Sequence, residues 1–391
     1  MKQLKSKIKE NLKILKENSL FRELKTVEKR EGNFIWINGK KLLNCSSNDY
    51  LGIAGNHELK KEFLSLIAEN AELLETSFSS SSSRLLTGNS TIYDETEKEI
   101  AHLYGKEECL IFSSGYHLNS GFFAPIFEKG DLIVADKLVH ASIIDGIMLS
   151  RADHFRYNHL DYTHLTKYLK ENRAKYRRVV VVTESVFSMD GDVADLGKLT
   201  EIAENFSVEL FVDEAHAVGC IGEKGLGVCE KNSVTHKIDY IVGTFGKAVG
   251  GFGAFILCDK EIKDYLINKC RSFIFTTALP PINIFWINFV LKKIVKMEKE
   301  REKLAEITQL LRAKLLEKNF LTNGSTHIVP LITGDEASTV SFFQKMEKRG
   351  VFVPAIRPPT VPVGSSRLRF SFTTEFSNDD IEFIVKAIEK E

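Results

Sequence analysis

The residues with the most chemistry to offer sit just past short apolar runs. The segment Thr244-Phe245-Gly246-Lys247-Ala248-Val249-Gly250-Gly251-Phe252-Gly253 follows an apolar run at 240–242, so Lys247 lies beyond the carboxyl end of an expected strand. Open α/β sheets bind their ligands at that edge. A lysine held among glycines and aromatics, away from bulk water, can have its amine pKa depressed and then act as a nucleophile or proton carrier. Taken alone, the segment reads more readily as a turn carrying a surface lysine.

A second segment changes that balance. Glu209-Leu210-Phe211-Val212-Asp213-Glu214-Ala215-His216 places an aspartate and a histidine at the end of another apolar run. Pyridoxal phosphate needs an anion against its pyridinium nitrogen to act as an electron sink, and Asp213 suits that role. His216 can hydrogen-bond the phenolic oxygen of the same ring. The letters D-E-A-H also occur in helicases beside a phosphate loop. Here Gly246-Lys247 is followed by Ala248, and the chain contains no G-x-x-x-x-G-K-[ST], so the helicase reading falls away.

Three further pieces fit one cofactor. Phe112-Ser113-Ser114-Gly115-Tyr116-His117 leads from a strand into a helix, whose first backbone amides can hold a phosphate. Thr244 can add a hydroxyl to that phosphate. His140, in Lys137-Leu138-Val139-His140-Ala141-Ser142, can stack on a flat ring, although a satisfied interior histidine is the plainer reading for it alone.

The elements that must position these groups follow from the pattern of apolar residues. Strand-like runs at 109–112, 131–134, 179–182, 210–212, 240–242 and 254–257 alternate with helical stretches between residues 58 and 330. Continuous β-branched runs suit strands buried on both faces, so an α/β domain with a mostly parallel central sheet flanked by helices is expected. Leu4, Ile8, Leu12 and Leu15 recur at helical spacing and predict an amphipathic first helix packed on the body. Asn38-Gly39 between the apolar runs at 33–37 and 41–43 predicts a hairpin. Residues 282–318 read as one long helix or a helix pair, and 328–391 as strands with two helices, an α+β region. The expected divisions are an N-terminal helix and hairpin over 1–57, a large domain over 58–281, and a connecting helix with the C-terminal domain over 282–391.

With 391 residues and 43% hydrophobic content, the chain is long enough to bury a sizeable core, which excludes disorder and small disulfide scaffolds. Lys plus Arg and Asp plus Glu both number 53, a balance with no general attraction to nucleic acid or anionic membrane. The six cysteines are scattered without a C-x-x-C pair and read as reduced thiols, with no metal site. No apolar leader follows Met1, and no apolar stretch is long enough to span a bilayer, so a cytoplasmic protein is expected.

Asn48-Asp49-Tyr50-Leu51-Gly52, Arg84-Leu85-Leu86-Thr87-Gly88-Asn89, the segment 112–116, Thr183-Glu184-Ser185-Val186-Phe187-Ser188-Met189-Asp190-Gly191-Asp192, the segment 213–219 and Thr244-Phe245-Gly246-Lys247 occur in order. Together they resemble the α-oxoamine synthases, from about residue 20 to the C-terminus. That resemblance implies a fold type I pyridoxal-phosphate enzyme that joins an amino acid to an acyl thioester with loss of carbon dioxide, working as a homodimer with shared sites. It implies Lys247 as the lysine bonded to the cofactor and general base, Asp213 as the pyridinium partner, His216 and Ser188 on the phenolic-oxygen side, and His140 over the ring. Gly115, Tyr116 and Thr244 would serve phosphate and ring, and Thr276 or Thr277 the phosphate of the other subunit. Arg369 would hold the amino-acid carboxylate, which suits a bidentate fork. Arg22, Arg357 and Thr360 match positions near the acyl substrate.

Ala355-Ile356-Arg357-Pro358-Pro359-Thr360-Val361-Pro362 with Arg367-Leu368-Arg369 looks most like the branch that joins L-alanine to a pimeloyl thioester of coenzyme A or a carrier protein. The branch that uses glycine and acetyl-coenzyme A is the alternative, with the serine palmitoyltransferase and 5-aminolevulinate synthase branches as weaker ones and a non-catalytic partner subunit a remote one. Two departures stand out. The loop before Arg84, in the serine-rich stretch 77–83, is Ser79-Ser80-Ser81-Ser82-Ser83 where the family is usually glycine-rich, and Gly250-Gly251 stands where many relatives carry a single glycine.

Overall fold

The computed structural model describes residues 2–69 and 78–389. It forms two units: Leu51–Ser188 with Val193–Arg301, and Met1–Tyr50 with Met189–Asp192 and Glu302–Glu391. This division cuts the chain differently from the expected boundaries at 57 and 281. The N-terminal segment groups with the C-terminal region, and residues 282–301 go with the large unit.

In the smaller unit, helix α1 (Lys2–Glu17) forms where its spacing predicts. Leu4, Ile8, Leu12 and Leu15 are nevertheless exposed, so the expected packing of that face on the body is not found. The spacing specifies a helix; it does not supply a surface to cover it. Strands β1 (Lys29–Glu31), β2 (Phe34–Ile37) and β3 (Lys40–Asn44) form an antiparallel ribbon. Its turn takes φ of 51° at Asn38 and 71° at Gly39, the left-handed pair that matches strand twist.

The large unit is built on a seven-stranded sheet of β4 (Glu108–Phe112), β5 (Leu132–Asp136), β6 (Asp153–Tyr157), β7 (Val179–Glu184), β8 (Glu209–Asp213), β9 (Tyr240–Thr244) and β10 (Ala254–Cys258), in the order β4-β10-β9-β8-β7-β5-β6. Only β10 runs antiparallel to its neighbours. Every residue of β5, β7 and β10 is buried, as continuous apolar runs require when helices cover both faces. The expected strands all form. The one missed, β6, is a largely exposed edge strand whose Asp153-His154-Phe155-Arg156 carries no apolar run. Helices α2 (Gly115–Ile126) and α3 (Ala141–Leu149) follow β4 and β5, and α4 (Pro281–Ile294) comes after β10.

The expected long helical stretch is a pair, α4 and α5 (Glu298–Glu317). Beyond it, β11 (Ile328–Gly334), α6 (Glu336–Lys348), β12 (Val351–Phe352), β13 (Ala355–Ile356), β14 (Ser366–Ser371) and α7 (Asn378–Glu389) complete the smaller unit. Strand β14 lies between β11 and β13, while β12 adds in parallel to β3. That last pairing is the physical reason the N-terminal ribbon groups with the C-terminal region.

Ser77 lies outside the described residues. Residues 78–83 lead into a π-helical turn, Arg84–Gly88. Ser81 adopts φ of 48°, a conformation its Cβ disfavours, and its N–H donates to Ser79 Oγ at 3.1 Å. Ser80 Oγ donates to the Leu279 carbonyl at 2.7 Å, so the serine run is an anchored loop. All six cysteines are buried free thiols. Among the described residues no helix is long and apolar enough to cross a membrane, and no cluster of side chains could hold a metal ion.

Candidate active site

Strand direction gathers the candidate groups. Strands β5, β7, β8 and β9 are parallel, and β4 shares their direction because β10 is antiparallel to both β4 and β9. Their carboxyl ends therefore lie along one edge, where ligands bind in such sheets. His140 follows β5, Glu184 ends β7, Asp213 ends β8, Thr244 ends β9, and Gly115 follows β4.

Lys247 is set by a tight turn after β9. Phe245 is fully buried; its N–H donates to the Gly253 carbonyl at 2.9 Å, and its carbonyl accepts the Gly251 N–H at 2.8 Å. The Gly250 N–H donates to the Lys247 carbonyl at 2.9 Å. Gly250 sits at φ of 63°, and a Cβ there would meet the Ala54 nitrogen at 2.9 Å. Lys247 itself is half-buried.

The phosphate end is equally defined. Ala254 of β10 pairs with Phe112 on one side and Thr244 on the other, which brings the start of α2 beside Thr244. A Cβ on Gly115 would lie 2.8 Å from Thr244 Cγ2, so this approach demands glycine. Ser114 caps α2 by accepting the His117 N–H at 3.2 Å, and the first-turn N–H groups have no partner within the helix. Thr244 Oγ1 is buried with no hydrogen-bond partner among the described residues. An orphaned hydroxyl beside a helix N-terminus suits a phosphate. Ser113 Oγ donates to the Thr277 carbonyl at 3.3 Å; Thr276 is half-buried and Thr277 exposed. Tyr116 is exposed, and its hydroxyl donates to the Asp145 carboxylate, which raises the phenol pKa.

Asp213 is buried and held by neutral donors. Its Oδ1 accepts the Ala215 N–H and its Oδ2 the Asn119 side-chain amide, each at 2.9 Å. The same Asn119 nitrogen lies 3.1 Å from Ser142 Oγ, which is 2.7 Å from His140 Nδ1. Burial pushes the His140 imidazole below its ordinary pKa, with Lys247 acting in the same sense and Asp213 and Asp145 opposing. Glu184 is the register partner of Asp213 across β7 and β8, and it accepts the His140 backbone N–H. Burial, then the Asp213 charge, push its carboxyl well above the usual range. His216 is buried and Ser188 half-buried; they follow β8 and β7 respectively. Asn119, Ser142 and Glu184 went unnoticed in the sequence. Asn119 lies one helical turn past Gly115 and Ser142 two residues past His140, a spacing that means something only once the helix starts are known.

The smaller unit holds the arginines. Arg367 and Arg369 are both buried on β14, which excludes a strand with outward-facing charges. Arg367 ion-pairs with Asp190 and is a structural group. Arg369 donates to Tyr50 Oη at 3.2 Å and Asn48 Oδ1 at 3.4 Å. Arg22 donates to the Pro358 carbonyl at 3.0 Å and the Arg357 carbonyl at 3.3 Å. Arg357 donates to the carbonyls of Ser19 and Phe21, and burial together with Arg22 lowers its pKa. Thr360 is exposed, its N–H on the Arg357 carbonyl at 3.1 Å. The structure thus brings Arg22, Arg357 and Thr360 into one cluster.

Comparisons with known proteins agree with this geometry. The family model for aminotransferase class I and II matches residues 40–388. The 8-amino-7-oxononanoate synthase of Haemophilus ducreyi is 43% identical over 384 residues, covering 97% of this chain and 99% of the relative. A serine palmitoyltransferase variant from S. paucimobilis, solved with a bound PLP–myriocin aldimine, superposes with a TM-score of 0.89 at 26% identity, covering 97% of this chain and 95% of that one. The 8-amino-7-oxononanoate synthase of Francisella tularensis gives a TM-score of 0.75 at 27% identity over 89% of this chain and 96% of its own. The edge fits pyridoxal phosphate: a buried anion for the ring nitrogen, an orphaned hydroxyl and a helix N-terminus for the phosphate, and an amine in a fixed turn. The chain belongs to the aminotransferase class I and II family and, within it, to the α-oxoamine synthases, as a fold type I, pyridoxal-phosphate-dependent acyltransferase.

Proposed function

We propose that this enzyme condenses L-alanine with a pimeloyl thioester, of coenzyme A or a carrier protein, to give 8-amino-7-oxononanoate for biotin synthesis. The observation that carries the reading is the near-complete coverage of both chains in the match to the Haemophilus ducreyi synthase. Pyridoxal phosphate, when bound, supplies an electron sink for the pair left at the alanine Cα. Lys247 would hold the cofactor, and its free amine would act as the general base for the Cα proton. Asp213 would keep the ring nitrogen protonated, His216 and Ser188 would hydrogen-bond the phenolic-oxygen side, and His140 would cover the ring. Gly115, Tyr116 and Thr244 serve the phosphate and ring.

Arg369 pairs with the alanine carboxylate, and Arg22, Arg357 and Thr360 serve the acyl thioester. A carbon–carbon bond forms between Cα and the thioester carbonyl as the thiolate leaves. The carboxylate then departs as carbon dioxide, and Lys247 returns a proton to Cα. The working form in this reading is a cytoplasmic homodimer, with Thr276 or Thr277 reaching the partner's phosphate.

The test is thiol and carbon-dioxide release from purified protein given L-alanine, glycine or L-serine with pimeloyl- or acetyl-coenzyme A. Alanine with the pimeloyl thioester should turn over fastest. A preference for glycine with acetyl-coenzyme A would transfer the enzyme to the sister branch.

A further inference from the structure

The hydrogen bonds around Asp213 run on to a second ring. Asn119 and Ser142 are 2% and 1% exposed, so neither finds its partners in solvent. The Asn119 amide nitrogen can only donate, and it faces both Asp213 Oδ2 and Ser142 Oγ. Ser142 Oγ accepts there and keeps its own proton to give. The nearest acceptor is His140 Nδ1, 2.7 Å away. The Ser142 backbone N–H, which also can only donate, points at the same nitrogen from 3.2 Å. A nitrogen that accepts from a backbone N–H carries no proton in the neutral ring, so the imidazole proton sits on Nε2.

We propose that Asn119 and Ser142 are positioning residues forming a relay from Asp213 to His140, which orients the Asp213 carboxylate and fixes His140 as the neutral tautomer protonated at Nε2. The inference rests on the assignment of Asp213 and His140 to the cofactor ring. Two observations outside the relay support it. Asn119 Oδ1 is buried without a partner among the described residues, an arrangement that costs about 1–3 kcal/mol. Flipping the amide would turn that oxygen against the Asp213 carboxylate, so the residue is retained for what its nitrogen does. His140 is also the N-cap of α3, where a helix dipole disfavours a cation. The charged groups facing the imidazole are Asp213 and Asp145, which favour its cation, and Lys247, which with burial opposes it; Glu184 binds only its backbone N–H. Protonating Nδ1 would set an N–H against the Ser142 N–H and break the relay, so His140 presents an uncharged face to the ring above it.

The experiment labels the full chain with 15N-histidine and reads the His140 nitrogens by NMR without added cofactor. His140 should show a bare Nδ1 and a protonated Nε2 from about pH 6 to 8, the range in which imidazoles otherwise titrate. Ser142→Ala should move the Nδ1 shift toward a tautomer average. Asn119→Leu should do so more weakly and loosen pyridoxal phosphate about tenfold in a spectral titration, the size of one lost hydrogen bond to a charge. A proton on Nδ1 in the wild type, or unchanged nitrogen shifts in both variants with melting temperatures intact, would overturn the relay. If Asn119→Leu does not fold, Ser142→Ala and the wild-type tautomer still decide. Failure of the wild type to take up pyridoxal phosphate would strike the functional reading instead, because the nitrogen shifts are measured without it.

Discussion

The sheet edge of the large unit and strand β14 of the smaller unit both bury charge, and they handle it differently. On β14, Arg367 meets Asp190 directly, and Asp190 also accepts the Asn323 amide at 2.9 Å. At the sheet edge, Asp213 is held by a backbone N–H and a neutral amide. Arg369, two residues from Arg367, donates to a phenol and an amide oxygen. A charge neutralised inside the protein serves the fold. A charge held by neutral groups keeps its field for a ligand, at a cost to stability. This contrast separates the Arg367–Asp190 pair from Asp213.

The contrast can be broken at several points. Lys247→Ala should lower turnover by about 10³-fold or more, since in the proposed mechanism it removes both the cofactor's covalent anchor and the base, while circular dichroism and melting temperature stay close to wild type. Asp213→Asn should keep the fold and lower kcat by about 10²-fold, by removing the anion proposed to keep the ring nitrogen protonated. Near-wild-type kcat in that variant would remove Asp213 from the chemistry. Arg367→Met should act on the other side of the comparison. It leaves Asp190 buried and unpaired, and denaturant unfolding should show about 3 kcal/mol lost. Arg369→Lys should instead raise the KM for the amino acid about tenfold, because the planar fork is gone, with stability changed by less than about 1 kcal/mol. If Arg369→Lys destabilises like Arg367→Met, the two arginines do the same job.

The smallest effect lies within the sheet edge, between register partners. Burial raises the Glu184 carboxyl well above its ordinary 4.5. The folded chain therefore keeps a proton that the unfolded chain has lost. That contribution to stability is complete below the unfolded value and is lost as pH rises through the folded one. Glu184→Gln should flatten this alkaline decline in melting temperature. His140 has the opposite sign: its pKa is lowered from 6.5, so its contribution is present above that value and is lost as pH falls through the folded one. His140→Gln should flatten the acid side. Identical pH–melting curves for wild type and both variants would show that neither group is shifted.

Much of the fold was legible because its signals are local. Six of the seven large-sheet strands announce themselves as apolar runs, and the turn at Asn38-Gly39 by residues that tolerate positive φ. Strand β6 was not legible, since an exposed edge strand needs no apolar pattern. The first helix was legible as a helix but not in its surroundings, because periodicity reports a face and not its cover. Lys247, Asp213 and Thr244 could be singled out as candidates because each stands at or just past the end of a recognisable strand in a recognisable motif. Asn119 and Ser142 could not, since single polar residues near helix starts are common and carry no motif.

The sequence by itself determined the buried strands of the large sheet, which residues stand at their carboxyl ends, and the family, because backbone preference and burial pattern act over a few neighbouring residues. Tertiary structure alone decided strand order, and with it that residues as distant as Gly115, His140, Asp213 and Thr244 share one edge. It also decided that Arg367 meets Asp190 and that Asn119 and Ser142 lie between Asp213 and His140. Those outcomes depend on hydrogen bonds between residues tens to hundreds of positions apart, which no local pattern encodes.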